Sequence, residues 1–418
     1  MVMNETYDKY KKLKKSLSIK YRGIDISQVL AIYLWIWSAA DAIDGIEEKE
    51  VKQALDISFL RGIEKKKIIY YDIDRKDHQA TFHNICSSLG DDYKVIDIAF
   101  NVKYKLHHSM VNKCLSWLIV RHAARHYRFT EREKEQLSYR VCFVLNSIDE
   151  LYAMKKQLRH ISHFVSYSAV HPWNSLLCQF FMRRKAKVFG LSHAVHYVYT
   201  QNIPIHCLNY ENLDVDCCLT WGQYTKDEYR KFGVKAKEIL VAGYPKQINV
   251  QQAKKTNELK RCLVLLSNPD YDNSNKRVLL LLSQHKDRYD IYLKLHPSND
   301  YDTYKAFAEK ENITIIDKEV QLTDCFDKEK FDFAIAINTT SYYEIMAAGI
   351  PCLRYKDGDA YQMTYGEEND VFNTAEEFCR AISWLKEQIG NQKYNEIIQK
   401  TLHYVMGLGE NNYKKILS

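Results

Sequence analysis

The sequence predicts an α/β protein with two Rossmann-like domains facing a cleft, preceded by an N-terminal helical segment. Three observations lead there. The 418 residues exceed what one hydrophobic core usually serves, so two domains are expected. From residue 64 onward, short apolar runs of strand length alternate with helical patterns, which is how βαβ units and parallel sheets read. The alternation breaks once, at the polar stretch 251–257, and then resumes as a second series. The expected organisation is a helical segment at 1–63, domains at 64–250 and 258–390, and a C-terminal helix at 391–418 packing back on the first domain.

In the first series, strands are expected at 67–73, 93–100, 139–145, 163–170, 187–191, 215–221 and 238–242. Helices are expected around 79–89, 111–127, 149–159, 175–184 and 226–232. In the second, strands are expected at 262–266, 290–295, 313–316, 331–337 and 351–355, with helices near 276–285, 301–310 and 342–348 and a helical tail at 374–389 and 394–406. The longest apolar stretch, 29–40, is too short to span a bilayer and reads as a buried core helix. A membrane-surface or partner contact through it is the alternative, supported by Lys9, Lys11, Lys12, Lys14 and Lys15 just upstream.

Composition narrows the function classes. Six prolines and fourteen glycines argue against long disordered linkers, and no secretory signal pattern is visible. Eleven scattered cysteines without a Cys-x-x-Cys pair fit reduced thiols, hence a cytoplasmic protein. The net charge of +7 is modest, and its basic clusters carry no nucleic-acid-binding motif, so no nucleic acid partner is expected. A Walker loop and a Gly-x-Gly-x-x-Gly fingerprint are both absent, which argues against a P-loop nucleotidase or a nicotinamide enzyme.

The chemistry concentrates in the second series. The apolar run 331–337 breaks into Thr339, Thr340 and Ser341 and continues as a helical pattern to Gly349. Hydroxyls between a strand end and a helix start form a ready anion site. Thr340 and Ser341, with Thr339, would hold phosphate, and Glu344 would accept from ribose hydroxyls. The bland reading of Ser341 and Glu344 is a capping box. His296 ends another strand and precedes Pro297, where an imidazole can offset charge on a leaving phosphate; Lys294 shares its face by strand alternation. Ser267, after the first strand of this domain, would lie beside the same phosphates, or simply in a turn. In the first domain, Asp72, Asp74, Asp77 and His78 follow one strand, and His193 and His196 follow another. Asp74, Asp77 and His193 are the candidates for a general base, and no spacing matches a zinc site.

The strings Lys-Leu-His-Pro at 294–297, Thr-Thr-Ser at 339–341, and Glu344 with Ala-Ala-Gly-Ile-Pro at 347–351 resemble bacterial glycosyltransferases of the GT-B fold. The likeness is to those of capsule and lipopolysaccharide biosynthesis, the group of sialyl-, Kdo- and polyol-phosphate transferases. It covers roughly residues 64–400. Where several members carry Gln-His-Gly, this chain has Ser192, His193 and Ala194, and the acidic loop bearing the base in some sialyltransferases has no clear copy. The resemblance implies an enzyme that moves a sugar from a CMP- or UDP-sugar onto a surface glycan or lipid-linked glycan. It would be inverting, with the first domain on the acceptor side, the second binding the donor, and His296 catalytic at the donor phosphate. The nucleotide-sugar is substrate, so no cofactor and no metal are expected. The implied place is the cytoplasm, with a peripheral contact to the inner membrane face left open. The alternatives are a polyol-phosphate transferase, a sugar-nucleotide epimerase, or a non-catalytic glycan-assembly scaffold with the Trp35 and Trp37 helix as its working surface.

Overall fold

The structure, a computed structural model, describes residues 2–40, 47–246, 248–253, 258–317, 320–322, 324–325, 330–358 and 365–418. The expected boundary stretch at 251–257 lies partly outside them. The chain forms two compact units. Unit 1 comprises residues 1–221, 225–246 and 410–418, and unit 2 comprises 222–224 and 247–409.

Unit 1 opens with the helix Val2–Ser16 and an antiparallel ribbon of β1 (Lys20–Tyr21) and β2 (Ile24–Asp25). A second ribbon pairs β3 (Gln53–Leu55) with β6 (Tyr104–Leu106). Its main sheet contains β4 (Lys67–Tyr71), β5 (Tyr93–Asp97), β7 (His163–Tyr167), β8 (Lys187–Leu191), β9 (Cys217–Thr220) and β10 (Glu238–Val241). All six run parallel in the order β10-β9-β8-β7-β4-β5. The inner strands β4, β7, β8 and β9 are buried beyond their first residues, as strands covered on both faces must be, whereas the edge strands β5 and β10 are partly exposed. The chain winds outward from β4 to β5, then returns past β4 to β7 and winds the other way. A crevice therefore opens at the carboxyl ends of β4 and β7.

Unit 2 has β11 (Arg261–Leu265), β12 (Asp290–Lys294), β13 (Thr314–Ile316), β14 (Phe333–Ile337), β15 (Cys352–Tyr355) and β16 (Val371–Phe372). They too are parallel, in the order β13-β12-β11-β14-β15-β16. This is the doubly wound Rossmann order, with its reversal between β11 and β14. Both units are thus Rossmann-like.

One expected strand is a helix. Residues 139–145 lie inside the helix Glu131–Ala153, which starts with a capping box between Thr130 and Glu133. Every residue from Val141 to Ile148 is buried, so the helix is covered all round and its sequence loses the 3.6-residue period. The Trp35 and Trp37 helix is not a working surface either. Both indoles are buried, Trp35 against Tyr7 and Tyr10 of the first helix and Trp37 against Phe129. Burying this much aromatic area outweighs any gain from exposing it.

The chain's last residues complete unit 1, while the helix Gln392–Met406 packs in unit 2. The Asn412 N–H donates to the Ala242 carbonyl at 2.9 Å, and the Tyr413 hydroxyl to that of Gly243 at 2.9 Å. Tyr413 and Leu417 enter the core with Ile69, Tyr71, Phe82 and Val165. Among the described residues, no helix is long and apolar enough to cross a membrane. Truncating Tyr413 to alanine removes a buried ring and its hydrogen bond. It is expected to cost about 3–5 kcal/mol of stability, read as a lowered denaturant midpoint for unit 1; an unchanged midpoint would show that the tail contributes little.

Candidate functional site

In unit 2 the reversal between β11 and β14 brings together most of the residues expected to hold phosphate. Asn338 turns the chain out of β14 at a φ of 46°, a left-handed conformation that asparagine tolerates better than most residues. Thr339 follows, and its Oγ1 accepts the Ser341 N–H at 3.3 Å. The helix Ser341–Ala347 begins there with Thr340 as its N-cap, making no side-chain capping bond. The capping-box reading of Ser341 is therefore set aside, because Ser341 is the first helical residue. Ser341 and Glu344 stand one turn apart and half-buried, whereas Tyr342, Tyr343, Ile345 and Met346 are buried.

That short helix is held from below. The Tyr342 hydroxyl donates to Asp370, and the Arg354 Nε donates to the same carboxylate at 2.7 Å. Both charges are nearly solvent-free, Arg354 at 5% exposure and Asp370 at 2%. Burial raises the Asp370 pKa to about 6, because the loss of hydration outweighs the opposing pull of Arg354. A buried pair of this kind is costly to break one partner at a time, which makes it a rigid base for the residues above it.

On the β11 side, Ser267 is gripped by asparagines. Its N–H donates to Asn275 Oδ1 at 3.0 Å, and its carbonyl accepts from Asn275 Nδ2 and Asn299 Nδ2, each at 3.0 Å. The Ser267 hydroxyl reaches the Asn338 carbonyl at 3.5 Å, joining the ends of β11 and β14. The Asn299 N–H also donates to the His296 carbonyl at 2.9 Å, so one residue ties the His296 turn to Ser267. His296 Nδ1 accepts the Ser298 N–H at 3.2 Å, which leaves the proton of the neutral ring on Nε2. Lys294 departs from the group, since its Nζ donates to the Asp317 carbonyl at 2.9 Å, beyond β13. Asn275 and Asn299 were not among the sequence candidates; their position in the segments after β11 and β12 was the signal available.

Two Asp-x-Asp triplets also follow strands of unit 2, at 270–272 and 357–359. Asp272 pairs with Lys276 at 2.6 Å and accepts the Tyr304 hydroxyl at 2.5 Å. Asp357 accepts from Ser274 at 2.8 Å and Arg277 at 2.7 Å, and Asp359 lies outside the described residues. Among the described residues no group of three or more His, Cys, Asp or Glu could hold a metal ion.

In unit 1 the crevice at β4 and β7 collects imidazoles. His78 lies beyond β4, His171 beyond β7, and His193 and His196 beyond β8. The His78 and His193 rings are 5.1 Å apart, and those of His193 and His196 4.9 Å. Burial holds all four pKa values down, to about 3 for His78 and His196 and about 4 for His171, with neighbouring imidazoles and Arg75 adding repulsion. The four rings are therefore neutral at pH 7. Among the described residues, His78 Nδ1, His193 Nδ1 and His196 Nε2 are shielded from solvent and find no hydrogen-bond partner. A small cavity beside them is lined by Ser168, Ser192, His193 and His196.

The carboxylates beside it divide clearly. Asp74 accepts the Phe100 N–H, where the backbone turns left-handed at a φ of 58°. Asp77 takes a two-pronged contact from Arg75, at 3.1 and 2.6 Å, and despite burial this holds its pKa down near 2. Asp72, by contrast, has no cationic partner among the described residues. It accepts from the Asn174 amide and from the Tyr70 hydroxyl at 3.1 Å, and Asn174 in turn accepts from Ser166 inside β7. Burial raises its pKa to about 6. Asp72 is thus the carboxylate in this crevice best matched to proton transfer near neutral pH.

No family model matches the chain, and no curated protein matches it in sequence. Among solved structures, the S. aureus MnaA–UDP complex is 12% identical, with 84% of this chain and 94% of that one covered at a TM-score of 0.48. The lipopolysaccharide outer core galactosyltransferase WaaB is 12% identical, with 84% and 98% covered at 0.47. S. aureus TarM, solved as a point mutant with fondaparinux, α-GlcNAc-glycerol and UDP, is 12% identical, with 64% of this chain covered at 0.40. This chain spans 56% of TarM's length.

The raised pKa of Asp72 has a measurable consequence. The folded state prefers the protonated acid, so the stability it contributes is complete below about pH 4 and is lost as pH rises through about 6. Asp72→Asn cannot ionise. Its melting temperature relative to wild type is expected to climb between about pH 4 and pH 7; a pH-independent difference would mean that Asp72 titrates normally.

Proposed function

We propose that the chain is a glycosyltransferase that moves a sugar from a nucleotide-activated donor, a CMP- or UDP-sugar, to a bacterial surface glycan or lipid-linked glycan. The observation that carries this is the β11/β14 reversal of unit 2. There Ser267 links the ends of β11 and β14 through the Asn338 carbonyl, Thr339, Thr340 and Ser341 follow β14 at the start of the next helix, and Asn299 ties the His296 turn to Ser267. Hydroxyl donors and an Nε2–H at a Rossmann switch point suit a phosphate. Glu344, one turn along the helix from Ser341, is the acceptor for ribose hydroxyls.

In this reading the bond from the sugar's anomeric carbon to the donor phosphate breaks through an oxocarbenium-like transition state. His296 Nε2–H, Thr340 and Ser341 stabilise the charge that builds on the departing phosphate, which is where preorganised donors contribute most. The acceptor hydroxyl attacks the opposite face, giving inversion, and loses its proton to a general base. Asp72 takes that role. His193 is neutral and able to accept a proton, but its depressed pKa makes it the weaker base. Asp74 and Asp77 are retained as structural groups of the same loop. The reading needs neither a metal nor a cofactor, and it places the enzyme in the cytoplasm.

A thermal-shift panel of CMP, CDP, UDP and GDP tests the donor half. One nucleotide at saturation is expected to raise the melting temperature by roughly 5 °C, and His296→Ala to remove most of that shift. If all four leave the wild type unmoved, the transferase reading fails.

A further inference from the structure

The helix Met110–Ala123 of unit 1 is built inside out. Its inward face carries polar Asn112 and Ser116 beside Ile119, Val120 and Ala123, and Asn112 Nδ2 donates to Asn146 Oδ1 at 2.9 Å and Asp149 Oδ2 at 2.8 Å. Its outward face carries Met110, Val111, Cys114, Trp117 and Leu118, at the spacing of one helical stripe. Val111 is 72% exposed, Trp117 52% and Leu118 54%, and Leu106 on the adjoining β6 is 84% exposed. A soluble surface seldom gathers large apolar side chains this way without a use for them.

The charge around the stripe selects the partner. Residues 98–130 contain no aspartate or glutamate, yet include Lys103, Lys105, Lys113, Arg121, Arg125 and Arg128. Lys113, Arg121, Arg125 and Arg128 flank the stripe, all exposed. Among the described residues none of these four pairs with a carboxylate, and the Arg121 guanidinium lies over the Trp117 ring at 4.9 Å. Acidic residues resume at Glu131 and Glu133, one paired with Lys134 and the other closing the Thr130 cap. The cluster of basic side chains around Trp, Leu, Val and Met fits neither a phosphodiester backbone, which has no use for the apolar centre, nor a typical protein interface, whose core is depleted of charge.

We propose that this face docks on an anionic lipid bilayer. The helix lies in the headgroup plane, with Val111, Trp117 and Leu118 in the acyl boundary and Lys113, Arg121 and Arg125 on lipid phosphates. The surface is separate from the buried Trp35 and Trp37 helix, and its function does not depend on the transferase reading.

Sedimentation of the full chain with phosphatidylglycerol/phosphatidylcholine vesicles, against pure phosphatidylcholine, tests it without any donor. The wild type is expected to pellet with the anionic vesicles only, and less so at high salt. Two surface variants, Trp117→Ser with Leu118→Ser and Arg121→Glu with Arg125→Glu, are each expected to reduce binding at least about tenfold with unchanged melting curves. Wild type that stays in solution with both lipids would overturn the proposal, as would binding indifferent to salt and to both variants. A stable dimer abolished by the Trp117/Leu118 variant would overturn it too, by assigning the face to a second copy of the chain.

Discussion

Parallel pairing is the constraint on which the rest of the architecture depends. Parallel neighbours cannot be joined by a tight turn, so each connection must cross a sheet face and bring the chain back to the same edge. All strand carboxyl ends in a unit therefore lie together, and a reversal of winding opens a crevice among them. Both units contain one such reversal, at β4/β7 and at β11/β14. The polar residues singled out above lie around these two places because the topology leaves room there.

The two crevices are equipped for different tasks. That of unit 2 offers hydroxyls, a tautomer-fixed imidazole and a turn braced by asparagines, over a floor fixed by Tyr342, Asp370 and Arg354. The crevice of unit 1 holds four imidazoles kept neutral by burial and a carboxyl raised toward neutrality by the same cause. Desolvation acts in opposite directions on the two residue types, disfavouring the charged form of each. It thereby yields proton acceptors in unit 1 without a metal or an ion pair, provided the carboxylate has no arginine beside it. Arg75 settles that question within six residues, by taking Asp77 and leaving Asp72.

Unit 1 also shows how polar and apolar side chains can exchange their usual places. Asn112 and Ser116 face the helix Glu131–Ala153, where Asn146 and Asp149 accept from the Asn112 amide nitrogen, which offsets part of the cost of burying it. The apolar side chains of the same helix are displaced outward, while Trp35 and Trp37, further up the chain, are enclosed by aromatic neighbours. Hydrophobicity alone would have ranked these segments the other way round.

Much of the scaffold was legible in the sequence. The strands at 67–71, 163–167, 187–191 and 333–337 are short, bounded apolar runs, and the hydroxyls after β14 stand out at a strand-to-helix junction. Such signals are local, since a strand buried on both faces must be apolar along its whole length. The run at 139–145 has the same look and belongs to a helix, because a helix buried all round loses its period just as such a strand does. Lys294 follows the alternation expected of it yet ends on Asp317, since a flexible side chain bonds to what lies nearby. The division of labour among Asp72, Asp74 and Asp77, and the gathering of His78, His171, His193 and His196, depend on which distant segments meet at one sheet edge. The sequence by itself determined the alternating elements and most of the polar residues gathered after β11 and β14. The tertiary structure decided which carboxylate is left without a cation, which histidines share a crevice and which apolar face stays in water, because burial and pairing are properties of neighbours far apart in the chain.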